Sequence, residues 1–310
     1  MNKVKSFFIK RKKLFVRVVS VTLVVSFFLG LFTLFDNFRL DVDHLTFDSV
    51  KIPKSFNGYK IAHISDYHSR KSKIINNKIF ETLNAEKPDI IIITGDLMDC
   101  RSVDIDTAID FAKKLVNITD VYFVSGNHEG NYLIQDQWGY MSFMEKLRST
   151  GVKVLTNETH VIQKADGSSI YLHGIDDPYL VKDRVEIDVA TASMCNSLTL
   201  GDGYNILLAH HPEQLSIYSE YGFDLVFSGH AHGGQITLFG FGLFAPDQES
   251  LPDYTSGVYN EGDTSLVLSR GIGYSLAPIR FFCSPHSQIS TVLPSVVQVA
   301  SVVVNTHTCS

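Results

Sequence analysis

Five short stretches of this 310-residue chain carry the side chains that could do chemistry: "SDYH" (65–68), "GDLMD" (95–99), "GNHE" (126–129), "LLAHHP" (207–212) and "SGHAHGGQ" (228–235). Asp66 and His68 stand two apart, and alternate residues of an extended segment face the same way, so both can grip one ion. His230 and His232 repeat that spacing, with glycines that keep bulk away from whatever they hold. Asp96 closes an apolar run, and its two oxygens allow one carboxylate to bridge two cations. Asn127 offers a neutral amide oxygen, and His210 another imidazole. Nitrogen and oxygen donors without a thiolate suit Mn, Fe, Zn or Co rather than Ca or Cu(I). Two divalent ions lower the pKa of bound water from 15.7 to roughly 7 and clamp the oxygens of an in-line displacement at phosphorus. His128 adjoins Asn127 without being needed as a ligand, and is placed to protonate or stabilise a departing oxygen.

These residues must be positioned by something, and the chain supplies a regular scaffold. Apolar, β-branched runs at 60–65, 89–95, 121–126, 170–175, 204–210, 224–230 and 265–271 predict strands covered on both faces. Helical spacing over 102–118, with Ser102 or Asp104 as N-cap, and over 137–150, stopped by Gly151, predicts helices packed on the sheet. The reading is one α/β domain, and the five stretches fall at strand carboxyl ends, where such sheets build sites. The strand pattern alone does not distinguish one doubly wound sheet from two packed sheets.

The chain's ends differ from this body. Seven of the 27 basic residues and none of the 33 acidic ones lie in residues 1–17, so the remainder carries a formal net charge of −13. An acidic body argues against nucleic-acid binding beyond a small nucleotide substrate. Val18–Phe35 is eighteen uncharged residues, about 27 Å as a helix against a hydrocarbon core of roughly 30 Å. The basic run should stay cytoplasmic and send the rest outward. A cleaved signal peptide would need a shorter core and small residues where "FTLFDNFRL" has bulky ones. The expected organisation is a basic cytoplasmic terminus (1–17), a transmembrane anchor (18–35), a catalytic domain (40–292) and an apolar tail (293–310), too short to span a bilayer, that reads as an edge strand or a loosely packed terminus. Cys100, Cys195, Cys283 and Cys309 form no CxxC pair, so no thiolate zinc site is expected.

The five stretches, in this order, resemble the calcineurin-like metallophosphoesterase superfamily over roughly residues 40–292. The resemblance is closest to membrane-anchored bacterial phosphodiesterases that end in GHxHGGQ and continue into a stretch like "SRGIGYSLAPIRFFC". It implies a four-layer α/β/β/α sandwich. It also assigns Asp66, His68 and His232 to one metal, Asn127, His210 and His230 to a second, Asp96 as the bridge and His128 as the catalytic residue. It favours His210 over its neighbour His211, which should face the other way. Tyr67, where an aliphatic residue is usual, should point away from the metals. His286, where relatives commonly carry Glu, leaves the substrate less defined than the chemistry. Arg270 is the candidate cation for substrate phosphate, with a structural ion pair as the alternative. Asp99 reads either as a turn or helix cap or, preferred here, as support for a metal-ligating histidine.

The expected function is hydrolysis of a phosphodiester, lipid-linked or in the envelope, by a hydroxide bridging two metals. A phosphomonoesterase or phosphoprotein phosphatase is the first alternative, and a metal-containing binding protein with little turnover the second.

Overall fold

The computed structural model describes residues 2–180, 186–234, 236–238, 241–243, 245, 246, 248, 251–274, 280 and 283–295. The tail beyond 295, with His307 and Cys309, and Gln235 of the last motif lie outside the described residues. The elements in chain order are α1 (Asn2–Asn37), β1 (Asp41–Ser49), β2 (Tyr59–Ile64), α2 (Lys73–Glu86), β3 (Ile90–Thr94), α3 (Ile105–Val116) and β4 (Asp120–Val124). Then come α4 (Asn127–Gln135), α5 (Gln137–Ser149), β5 (Lys153–Val154), β6 (Glu158–Gln163), β7 (Ser169–Gly174), α6 (Ile187–Ser197) and β8 (Asn205–Leu208). The chain continues through α7 (Leu215–Glu220), β9 (Leu225–Ser228), β10 (Thr237–Leu238), β11 (Phe241–Gly242), β12 (Gly257–Glu261), β13 (Thr264–Leu268) and β14 (His286–Pro294).

All seven expected strands are present, and they divide between two six-stranded sheets ordered β1-β14-β2-β3-β4-β5 and β12-β13-β9-β8-β7-β6. The alternation of side chains explains why their sequences are apolar at consecutive positions. In β3, Ile91 and Ile93 pack under the helices while Ile90 and Ile92 pack between the sheets. In β8, Ile206 and Leu208 face the space between the sheets, and Leu207 faces the opposite helices. The first sheet is thus covered outside by α2, α3 and α5, through residues such as Ile79, Phe111 and Leu147, and the second by α6 and α7, through Cys195, Leu215 and Tyr218. Four layers, α/β/β/α, result. Each fully buried isoleucine contributes about 1.5–3 kcal/mol, so the three apolar layers hold the strand ends in register.

Local signals behave as expected. Asp104 caps α3 by accepting from the Thr107 N–H at 3.1 Å, and Gly151 sits at φ +98° just past α5. Cys100, Cys195 and Cys283 are buried free thiols. The helix α1 is long and apolar enough to cross a membrane over Lys10–Asn37.

Candidate metal centre

The loops after β2, β3, β4, β8 and β9 meet at one end of the two sheets, and strained backbone marks the meeting point. Asp66, His68, Asp96, His230 and His232 all have positive φ, between 49° and 70°. Such conformations cost an L-residue of order 1–3 kcal/mol each and persist where the surroundings over-determine them. Here the surroundings are backbone bonds between loops. Asp66 N–H donates to Gly95 O at 3.1 Å, and His68 N–H donates to Asp96 O at 2.9 Å. Gly229 is obligatory: a Cβ there would stand 1.8 Å from Ser65 Oγ and 2.5 Å from Asp66 Oδ2.

The seven expected ligand residues converge in two groups that share one oxygen. In the first, His68 Nε2 faces His232 Nε2 at 3.2 Å, His232 Nε2 lies 3.4 Å from Asp66 Oδ1, and His68 Nε2 lies 3.6 Å from Asp96 Oδ2. In the second, Asn127 Oδ1 is 3.1 Å from His210 Nε2 and 3.0 Å from His230 Nδ1, and His210 Nε2 is 3.4 Å from that same Asp96 Oδ2. Donor atoms about 2.1 Å from an ion at tetrahedral or octahedral positions stand about 3.0–3.4 Å from one another, so these separations are close to the edges of two coordination polyhedra.

Charge points the same way. Burial pushes the Asp66 carboxyl up, while Asp96, although burial opposes it, is held well below the usual range by His210 and His128. Burial drives His68 down to about 3 and His232 well below its ordinary value, which favours the neutral imidazole at both, whereas at His210 the Asp96 charge outweighs burial and pushes the pKa up to about 9. A divalent cation binds ionised carboxylates and neutral imidazoles, so its binding among these groups would release protons from the site.

His128 stands beside the groups. Its Nε2 is 4.0 Å from Asp96 Oδ2, and its Nδ1 is 3.2 Å from both Asp99 Oδ1 and the Cys100 N–H. Burial alone would lower its pKa; the Asp96 charge and the Asp99 hydrogen bond outweigh burial and push it up to about 11. Asp99 does support a histidine, but that histidine is His128, outside the expected ligand set. Asp99 is itself held by the Arg101 guanidinium at 2.9 and 3.0 Å.

Arg270 pairs with Asp41, Nη2 to Oδ2 at 3.1 Å, which is the ion-pair alternative of the sequence reading. Tyr67 points away from the cluster and stacks on Phe111 with ring centroids 3.9 Å apart. His211 faces away from His210's partners, and both its nitrogens meet carboxylates: Asp177 Oδ2 at 2.8 Å and Glu213 Oε1 at 2.6 Å. Both nitrogens therefore donate to carboxylates, which leaves no lone pair for a metal, although with Glu213 and His230 it forms a compact His/Glu group.

Two residues escaped the sequence reading. Glu129, fully buried at the third position of α4, accepts from Gly126 N–H at 2.8 Å, Asp96 N–H at 2.9 Å and Met98 N–H at 3.1 Å, tying two of the site loops together. Its signal was the acid three residues after the Gly126 cap, a capping-box spacing. Arg280 places Nη2 3.4 Å from His232 Nδ1. It lies in a loop without periodicity, and no local pattern announced it.

With this geometry in hand, the chain can be set beside known proteins. The calcineurin-like phosphoesterase family profile matches residues 59–234. The uncharacterized metallophosphoesterase YkuE of Bacillus subtilis (strain 168) is 30% identical over 255 residues, 79% of this chain and 83% of that protein. A Danio rerio transmembrane protein with metallophosphoesterase domain is 29% identical over 258 residues, 78% of this chain but 54% of that protein. The crystal structure of TT1561 of Thermus thermophilus aligns with a TM-score of 0.44 at 12% identity, covering 68% of this chain and 89% of that one. The family profile and the 30% identity to YkuE show that the chain belongs to the calcineurin-like metallophosphoesterase family and is a phosphoester hydrolase.

Proposed function

We propose that this chain hydrolyses phosphodiesters at a dinuclear centre, from a domain anchored by α1 on the outer face of the cell membrane. In this reading Asp66, His68 and His232 would hold one ion and Asn127, His210 and His230 the other, with the Asp96 carboxylate available to both. The carrying observation is the position of Asp96 Oδ2, 3.6 Å from a nitrogen of the first group and 3.4 Å from a nitrogen of the second. Two divalent ions bound here would supply a nucleophile at neutral pH and neutralise the charge of the phosphoryl oxygens.

The remaining work falls to side chains of the protein. His128 stands with its Nδ1 on Asp99, which leaves Nε2 to carry a proton toward the departing oxygen. Glu129 fixes the loops bearing Asp96 and Asn127, so the ligands keep their spacing when substrate arrives. Arg270, committed to Asp41, has no part in this scheme as a phosphate binder. Preference for a diester rests on the GHxHGGQ stretch and its continuation. The unit 40–292 is taken as the catalytic domain, 18–35 as the membrane span, and 1–17 as its cytoplasmic flank.

The test is turnover of bis(p-nitrophenyl) phosphate against p-nitrophenyl phosphate by the full chain, with Mn²⁺ and with chelator. A higher kcat/KM on the diester, lost on chelation and in Asp96→Ala, is expected. A higher value on the monoester would make the phosphomonoesterase reading the better one.

A further inference from the structure

The end of α1 is built into the catalytic domain. Thr33, Asp36 and Asn37 are 8%, 3% and 5% exposed. The Asn37 side chain accepts from the Arg280 N–H at 3.0 Å and donates to Arg280 O at 2.7 Å, and Asn37 O accepts from Arg70 Nη2 at 2.8 Å. Lys78 Nζ of α2 donates to Phe38 O at 2.8 Å. Only residues 38–40 separate α1 from β1. This is a rigid joint, without the length of a flexible tether.

The same helical turn has a second face. Leu31, Leu34 and Phe35 are 48%, 54% and 66% exposed, and Phe38 follows at 43%. Apolar side chains so placed belong in hydrocarbon or at its edge, while their neighbours on the opposite face belong to the domain. The domain therefore sits at the depth of the headgroups. Its site lies close by, because Arg280, which grips Asn37, also reaches His232, one of the proposed ligands. One side chain separates the last turn of the helix from the metal centre.

Resting on the phosphoesterase reading above, we infer that the substrate is a phosphoester carried by a lipid of the membrane that α1 crosses. A rigid joint holds the site at the layer where lipid phosphates lie, and confining both partners to one surface raises their effective concentration. A freely diffusing substrate would gain nothing from it. In the reaction, water's oxygen joins phosphorus, the phosphorus–oxygen bond to the leaving alcohol breaks, and that alkoxide takes up the proton.

The test uses the Mn²⁺-loaded full chain in proteoliposomes of phosphate-free digalactosyldiacylglycerol containing phosphatidylglycerol, phosphatidylcholine or a polyprenyl phosphosugar, beside bis(p-nitrophenyl) phosphate in solution. Turnover of one lipid probe should follow its mole fraction in the surface when bulk concentration is held constant. A second variant isolates the joint. Three leucines to restore the apolar span, then a two-turn polar helix of about 10 Å, are inserted between Phe32 and Thr33, leaving Thr33–Asn37 on the domain. Turnover of the soluble diester should stay within about twofold and lipid turnover should fall about tenfold or more, as the shared surface is lost. Hydrolysis of the soluble diester with none of any lipid probe, or lipid turnover indifferent to mole fraction or to the spacer, would overturn the inference and leave the phosphoesterase intact. Failure on the soluble diester as well would strike the dinuclear reading itself.

Discussion

Asp99→Asn removes a charge from beside His128 while keeping an oxygen in place. The two groups are 3.2 Å apart, with side chains 12% and 14% exposed. At that separation a unit charge is worth about 1.3 kcal/mol in a water-like medium and about 5 kcal/mol at an effective dielectric of 20. Partial exposure and the Arg101 guanidinium, which shares the Asp99 carboxylate, place the effect near the lower bound. The His128 pKa should therefore fall by about 1–2 units, at 1.36 kcal/mol each. The assay is the pH dependence of kcat/KM for the Mn²⁺-loaded chain on a diester with an alkyl leaving group, which needs a proton more than nitrophenolate does. If protonated His128 serves the leaving group, the alkaline limb moves toward lower pH by that amount. Loss on bis(p-nitrophenyl) phosphate should be smaller. An unmoved limb, with equal losses on both substrates, would refute the role given to His128 and reduce Asp99 to a loop support.

Glu129→Gln should lower stability to urea by about 1–3 kcal/mol, because an amide cannot accept from all three buried N–H groups, and should weaken Mn²⁺ binding in titration calorimetry. Gly229→Ala should abolish metal binding while the far-UV circular dichroism stays native, since its Cβ would displace Asp66. His211→Gln removes the cation between Asp177, which is fully buried, and Glu213, whose side chain is 17% exposed, and should cost about 3–5 kcal/mol in chemical denaturation. Although burial opposes it, the two carboxylates hold the His211 pKa well above its ordinary value. Its stabilisation is thus fully present below about pH 6.5, the unfolded pKa, and is lost as pH rises through the folded pKa, so the gap between wild type and variant should narrow at alkaline pH.

The legible parts of this molecule were those governed by local pattern. Runs such as Ile90–Thr94, β-branched throughout, read as strands buried on both sides, and the polar residues that follow them fall at strand ends. The split into two sheets was not legible from these runs, because a strand between two sheets and a strand between two helix layers ask for the same apolar alternation. β14 was missed for a related reason. Its inward positions include His286, Gln288 and Ser290, and their burial depends on distant partners, such as the bond of Gln288 Oε1 to His63 Nδ1 at 2.7 Å. Among the described residues β1 pairs with β14 alone, 245 residues away in the register Asp41 to His286. The proposed ligand set drew on side-chain chemistry together with the family resemblance, whereas its supports left no local signal: Asn37 and Arg280 meet across 243 residues, and no spacing rule links positions so far apart.

The central claim is that two divalent ions share Asp96. Electron paramagnetic resonance of the full chain titrated with Mn²⁺ tests it most directly. Two manganese ions per chain with an exchange-coupled signal, converted to uncoupled or absent manganese by Asp96→Ala, is the predicted result. A single bound ion, or two that never couple, would contradict the account.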